Sequence, residues 1–459
     1  MPRHADVHTF RYPRARFNPI TGTASFDYLL QGKEADFSFT DVWTFPSAGK
    51  SMDAASRAAA RRVLDLLYIA VGLAYYTAFA PRRVVLDTVR LTPAALRWAQ
   101  RLYREGLAEF AYRHDLPHVL ALELEGNTGS QATAGNEPVG QRPPLVAVGG
   151  GKDSVVSVEA LKAMRPVVFA VERKHRPLLR AVLALTGAPH LVVRQTVDRR
   201  LSRVVTEHGG YLGHIPVTAI NTLAGVVLAL LEGLGPVVLS NERSASAGNL
   251  MWQGHEVNHQ WSKGLEAEAL LREAIASQAG VADAYFSLLG GMSELHIAKL
   301  VAEIHTYDDK MTSCNHVFWS DTRRGERWCN DCAKCRFVFL ALAPFMARRR
   351  LVSIFGHDLL EDQRQIEGYR ELLGLSGHRP FDCVGEVAES RVAFRLLTER
   401  PAWVDARVVR ALRRELIEWP SDAEIRQVFT ATRPRFAPPA YVQALEVMRE
   451  RVDSPAPGI

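Results

Sequence analysis

The densest chemical signal in the chain is the stretch from Leu145 to Ser154, which reads LVAVGGGKDS. An apolar run enters three glycines, and residues with helical spacing follow. Glycine lets the backbone approach an anion closely and turn its N–H groups toward it. A helix N-terminus adds about half a positive charge. Phosphate is therefore the expected guest of Gly149, Gly150 and Gly151. Lys152 adds a cation and Ser154 a hydroxyl donor. Asp153 is an odd choice in a simple anion hole. It suits a Mg²⁺ that accompanies the phosphates, or it caps the helix. Neither G-x-G-x-x-G nor G-x-x-x-x-G-K-[ST] occurs here.

Cys314, Cys329, Cys332 and Cys335 are spaced C-x₁₄-C-x₂-C-x₂-C. The two C-x₂-C steps bring three thiolates within reach of one ion, and Cys314 can close a tetrahedron. A structural Cys₄ zinc site fits, with Zn–S bonds of about 2.3 Å. An iron–sulfur cluster uses the same four ligands and remains the alternative. Cys383 stands alone and reads as a small buried hydrophobe. His305 and His316, near the cluster, read as structural.

Two polar segments should face the same guest. Ser240 to Ser246 (SNERSAS) follows an apolar run. Glu242 there could take Mg²⁺ or a proton, and Arg243 could clamp a carboxylate or phosphate with its guanidinium fork. Asn241 and Ser244 contact substrate or only close turns. Val257 to Gly264 (VNHQWSKG) offers His259, Trp261 and Lys263. Tyr211 and His214 lie in a Gly-rich loop. His296, at a helix start, reads as structural.

The elements that must hold these groups alternate between strand and helix. Apolar runs at Leu145–Val148, Val167–Val171, Leu191–Arg194 and Pro236–Leu239 read as buried strands. Helical patterns at Ser154–Met164, Leu178–Leu185 and Val217–Leu231 separate them. That is an α/β fold, a parallel sheet covered on both faces, with ligands at the carboxyl ends of its strands. Before it, residues 1–142 form an α+β region. Strands are expected at Ala35–Phe45 and Val84–Leu91, and helices at Asp53–Phe79 and from Thr92, where Pro93 takes the first helical position. The region ends in a Gly-rich polar linker, Glu125–Pro144. Residues 143–338 are the nucleotide domain with the cysteine module. Residues 339–459 are helical, with patterns at Phe337–Arg349, Gln363–Leu373, Ala388–Leu397, Val404–Ile417 and Tyr441–Arg451. Packing is their expected role.

The chain has 459 residues, 47% hydrophobic and 23% charged. It is long enough for two or three domains at roughly 100–200 residues each. Wholesale disorder and fibrous repeats are excluded. There are 56 Lys and Arg against 50 Asp and Glu, a balance of +6. That excess is small and interleaved, and does not by itself imply a nucleic-acid partner. The longest apolar run, Leu66–Ala80, holds three tyrosines and is shorter than the about 20 residues a membrane span needs. With no export signal in Met1–Arg16 and four clustered thiols, the expected compartment is the cytoplasm.

The loop Gly149–Ser154 resembles the S-G-G-x-D-S phosphate loop of the PP-loop ATP pyrophosphatase superfamily. Gly150, Gly151, Asp153 and Ser154 match, and Gly149 stands where serine is usual. The resemblance implies an adenine nucleotide alpha-hydrolase-like core that cleaves ATP between its α and β phosphates, with Mg²⁺. Backbone near Phe169–Val171 would then hold the adenine. A similar cysteine cluster follows this domain in the 7-cyano-7-deazaguanine synthase branch, which favours zinc. With GGGKDS, SNERSAS, VNHQWSKG and CNDCAKC (Cys329–Cys335) together, the chain resembles the ATP-dependent UDP-N-acetylmuramoyl-L-alanyl-L-glutamate epimerases of peptidoglycan precursor synthesis.

That resemblance implies activation of the terminal L-glutamate as an acyl-adenylate, proton removal at Cα, reprotonation on the other face, and hydrolysis. His259, Lys263 and Glu242 are the acid/base candidates, unranked. Arg243, Asn241, Ser244 and Trp261 are the substrate candidates. The partner is a small UDP-linked muramoyl dipeptide, with no membrane span and no oligomeric state implied. The alternatives are another adenylating ligase, a tRNA-modifying enzyme, or a nucleotide sensor without chemistry.

Overall fold

The computed structural model of the chain describes residues 6–46, 53–132, 142–319, 327–377 and 379–453. Twelve strands are present among them: β1 (Val7–Asn18), β2 (Thr23–Gly32), β3 (Phe37–Thr44), β4 (Arg83–Leu91), β5 (Leu124–Thr128), β6 (Leu145–Ala147), β7 (Val167–Glu172), β8 (His190–Thr196), β9 (Val237–Leu239), β10 (Leu250–Trp252), β11 (His255–Val257) and β12 (Tyr285–Ser287). Ten of them form one sheet, ordered β12-β9-β6-β7-β8-β3-β2-β1-β4-β5, while β10 and β11 make a separate hairpin.

The run β12-β9-β6-β7-β8 is parallel throughout. This is the expected core, extended by β12, which is too short to stand out as a pattern. The chain leaves β6 toward β7 and β8, then returns to β9 on the other side. The order therefore reverses between β6 and β9, the place at whose carboxyl ends sheets of this kind form a ligand crevice. β3 pairs antiparallel with β8, so the strands of residues 1–142 continue the same sheet without a break. β1 and β2 add a long antiparallel hairpin whose register shifts between Arg11 and Arg14. Pro13 falls at that shift, where a missing N–H is tolerated. The expected linker at Glu125–Pro144 begins inside edge strand β5. Residues 133–141 of it lie outside the described residues.

Side chains alternate across the parallel strands as their period of two requires. Leu145, Phe169, Val237 and Tyr285 enter one core; Val146, Val168, Val238 and Phe286 enter the other. The first core lies under α1 (Ala54–Tyr76), α2 (Pro93–Arg104), α3 (Ala108–His114), and, after α4 (Lys152–Ala160), α5 (Pro177–Leu185) and α6 (Arg200–Glu207), under α7 (Val217–Glu232) and α8 (Leu265–Ala279). Asp53 caps α1 by accepting from Ser56 N at 2.8 Å, and Thr92 caps α2 with Pro93 next, as expected. Gly72 of α1 lets Tyr12 approach closely; a Cβ there would meet the Tyr12 hydroxyl at 2.2 Å.

The second core holds α4 and α5 with the C-terminal helices: α9 (Glu294–Ala302), α10 (Asn315–Trp319), α11 (Ala333–Leu342), α12 (Arg348–Phe355), α13 (Ile366–Leu372), α14 (Val387–Thr398), α15 (Arg407–Leu412), α16 (Asp422–Phe429) and α17 (Pro439–Asp453). The single helix expected over Phe337–Arg349 is two, because Pro344 offers no N–H and restrains the residue before it. No helix among the described residues is long and apolar enough to cross a membrane.

Candidate active site

The glycine loop sits at the reversal point, after β6. Gly150 has φ +89°, a left-handed conformation that glycine adopts without strain. Gly151 is the N-cap of α4 and has no side chain with which to cap it. A second segment braces the loop from behind: Thr312 N donates to Gly150 O at 3.0 Å, and Lys152 N donates to Ser313 Oγ at 3.2 Å. Gly149 is exposed, with open space where a Cβ would stand. The Ser154 hydroxyl turns back to donate to Gly151 O at 3.0 Å.

Thr312 and Ser313 lead directly into the cysteine cluster. The four sulfurs of Cys314, Cys329, Cys332 and Cys335 all lie within 4.8 Å of one another, all four residues are buried, and none is in a disulfide. Cys335 N donates to Cys332 Sγ at 3.4 Å and Asp331 N to Cys329 Sγ at 3.5 Å. Backbone donors aimed at sulfur stabilise thiolates, so the cluster is suited to hold a metal ion.

Beside the loop, ionisable groups from six segments converge. Lys152 is fully buried and pairs with Asp153 and with Glu294, at the start of α9. Lys334, at the start of α11, donates to Glu294 Oε1 at 3.2 Å. Burial alone would raise the Glu294 carboxyl. The two ammoniums more than offset that and hold it at about 2. Glu242 follows β9, and its oxygens lie within 4.8 Å of those of Asp153 and Glu294. Its Oε1 is buried without a hydrogen-bond partner among the described residues. Burial raises Glu242, and its two carboxylate neighbours raise it further, against Lys263. Glu389, on α14, is pushed up to about 8 by burial and by Glu294 while it accepts from Leu295 N at 3.0 Å.

A second group adjoins this one through Lys263. His259 Nδ1 pairs with Glu109 of α3, and the ring of His214 packs 4.2 Å from that of His259. An imidazole nitrogen of His259, an Asp382 carboxylate oxygen and the Cys383 sulfur lie within 4.8 Å of one another. Burial works to lower His259, but its hydrogen bonds with Cys383 and Glu109 hold it at about 9. His214 is pushed down to about 3 by burial and then by the His259 charge. At pH 7 the pair is thus an imidazolium beside a neutral ring.

The family model for the MurL N-terminal domain matches residues 1–288, and that for the MurL C-terminal domain matches residues 310–427. The chain belongs to the MurL family. It is 51% identical over 443 residues to a Micromonospora protein named UDP-N-acetyl-alpha-D-muramoyl-L-alanyl-L-glutamate epimerase, covering 96% of this chain and 98% of that one. Proteins of the same name from Salinispora tropica and Xanthomonas oryzae pv. oryzae are 48% and 37% identical, covering 97% and 95% of this chain and 97% and 96% of theirs. No solved structure matches.

Against the sequence expectations for a family member, the structure brings His259, Lys263 and Glu242 to one crevice with the glycine loop. It also gathers the four cysteines. Other expected residues have different partners. Lys152 is enclosed by carboxylates instead of lying open to a phosphate. The Arg243 guanidinium donates to Thr430 O at 2.9 Å and Val428 O at 3.4 Å, the carbonyls that end α16, so its fork is occupied by protein. Trp261 is 7% exposed and donates to Glu266 at 3.0 Å. Asn241 donates to Ser287 Oγ at 3.0 Å; Ser244 Oγ is buried with no partner among the described residues. Phe169–Val171 lie inside β7, where Phe169 O accepts from Val148 N, and the loop begins only after Glu172. His296 is buried at α9 beside Asp453, away from the crevice.

Sequence reading missed Glu109, Glu294, Lys334, Asp382, Cys383 and Glu389. Three of these lie in the C-terminal helical region, which thus places side chains beside the ionisable groups of the sheet as well as packing on it. Cys383 is half-buried among cations, not a hydrophobe in a core.

Proposed function

We propose that the protein epimerises the terminal L-glutamate of UDP-N-acetylmuramoyl-L-alanyl-L-glutamate to D-glutamate, at the expense of ATP, in the cytoplasmic synthesis of peptidoglycan precursors. The observation that carries this reading is the match along nearly the full chain, at 51% identity, to a protein named for that reaction. The crevice supports it. A glycine loop at a helix N-terminus suits a phosphate chain, and acid/base groups stand beside it.

ATP supplies activation: transfer of AMP to the α-carboxylate makes an acyl-adenylate and releases pyrophosphate. The backbone of Gly149–Gly151 holds the phosphates. The oxygens of Asp153, Glu242 and Glu294 suit a Mg²⁺ ion, which takes carboxylate and phosphate oxygens, and the unpartnered Glu242 Oε1 is the atom most in need of such a ligand. The buried lysines keep the surrounding carboxylates from repelling the nucleotide.

Once the carboxylate carries no full charge, its Cα–H becomes acidic. A base takes the proton, and a donor on the other face returns one. His259, Lys263 and Glu242 are the candidates around that centre, and the Lys263 ammonium can also stabilise the developing enolate. The four buried sulfurs fit Zn²⁺, a closed structural site. Its service is to fix Thr312 and Ser313 against the loop.

Incubation with ATP, Mg²⁺ and the UDP-linked dipeptide tests the reading. D-glutamate is expected with AMP and pyrophosphate. Unchanged L-glutamate would refute the epimerase, and ADP with phosphate would refute the adenylate.

A further inference from the structure

We propose that Cys383 is a catalytic residue of the proton transfer, its sulfur taking the hydrogen from one face of the glutamate Cα. The inference rests on the epimerase reading above.

Cys383 takes no part in the four-sulfur cluster, and the residue is half-buried. Its backbone is pinned: Cys383 N donates to Asp382 Oδ1 at 2.8 Å. Asp382 also accepts from Asn315 Nδ2 at 2.7 Å and Lys334 N at 3.2 Å. With three donors on it, Asp382 is an anchor. An imidazole nitrogen of His259 lies within 4.8 Å of the sulfur. Behind it, Glu109 holds Nδ1, and Glu109 is itself held by Arg113 Nε at 2.6 Å.

The order carboxylate, imidazole, sulfur is the arrangement that activates a thiol. Lys263 and Lys334 add positive charge from two other segments. Burial opposes the thiolate, but Lys263, then His259 and Lys334, lower the thiol below its ordinary range. His214, neutral, completes the groups around His259.

The step balances without redox chemistry. The Cα–H bond breaks, its proton forms S–H on Cys383, and its electron pair moves into the activated carboxyl as an enolate. Lys263, the acid/base candidate that adjoins this group, then gives a proton to the opposite face of Cα. The enolate pair forms the new C–H bond. Cys383 then loses its proton to solvent, which restores the thiolate beside the His259 imidazolium, and Lys263 regains one.

The test uses the full chain with its cysteine cluster intact, and Cys383→Ala and Cys383→Ser variants in D₂O. Cα deuteration and D-glutamate formation should fall about 10²-fold or more, the scale of general acid–base catalysis. Pyrophosphate release from the same substrate should fall far less. Near-wild-type exchange in either variant overturns the proposal, as does an equal loss of both activities, which would make Cys383 structural. Failure of the wild-type chain to form D-glutamate would instead count against the epimerase reading.

A second measurement stands apart from that reading and from the folding of the variants. Iodoacetamide should alkylate Cys383 at neutral pH, located by mass spectrometry, and more slowly in His259→Gln. Equal rates in the two chains would overturn the thiolate, and with it the proposal.

Discussion

Behind β1 to β3, most of a block of tyrosines bury their hydroxyls against fixed partners, Tyr76 being the member with none among the described residues. Tyr12 meets Tyr103 at 2.6 Å, Tyr28 donates to Tyr68 O at 2.9 Å, and Tyr75 donates to Asp41 at 2.8 Å. At the carboxyl ends of β6 and β9, equally buried groups are left unfinished. Glu242 Oε1 and Ser244 Oγ have no partner among the described residues, and carboxylates crowd one another. Satisfied polar groups contribute to a unique fold; unsatisfied ones cost stability unless something else completes them. The first region is built for the folded chain alone. On the proposed function the second is completed by its guests, and substitutions should separate the two.

The largest effect should come from the module that supports the crevice. Cys335→Ala removes one of the four sulfurs proposed to hold a metal, and metal binding at such a site is also folding energy. We expect loss of bound metal by elemental analysis and a cooperative loss of structure in the second core. A fully folded, metal-free variant would detach the cysteines from the fold. Next, Glu242→Gln should lower turnover by about 10²-fold or more, yet leave the melting temperature unchanged or raised, because it removes a carboxylate crowded by Asp153 and Glu294. Tyr75→Phe should do the reverse. It takes a donor from buried Asp41 and should cost about 1–3 kcal/mol in denaturant unfolding, with turnover intact.

The last effect is in pH. His259 has its folded value raised to about 9, so its contribution is fully present below the usual histidine range and is lost as pH climbs toward 9. His214, lowered to about 3, has the opposite sign, and its contribution is lost as pH falls below that range. Together they should give a stability maximum near about pH 6.5. His259→Gln should flatten the alkaline side of a melting-temperature profile.

The parallel core was legible because buried strands and their helices differ in period, and the glycine loop because few purposes require three glycines at a helix start. The cysteines were legible because spacing alone brings three of them together. The hairpin of β1 and β2 was not, since arginines and aromatics alternate there without a simple apolar pattern. Neither were Glu109, Glu294 and Cys383. Each is an ordinary residue locally, and gains its main partner from more than 100 positions away in the chain: Lys152 for Glu294, His259 for Glu109 and Cys383. Arg243 shows the converse: a residue type suited to a substrate carboxylate is occupied by the end of α16 instead.

The central claim joins an ATP-cleaving loop to proton exchange at one carbon. Turnover of the UDP-linked L-alanyl-L-glutamate in D₂O, followed by chiral and mass analysis of the recovered glutamate, tests it most directly. The account predicts D-glutamate carrying one deuterium at Cα, formed only when ATP is present. D-glutamate without deuterium, or formed at the same rate without ATP, would contradict it.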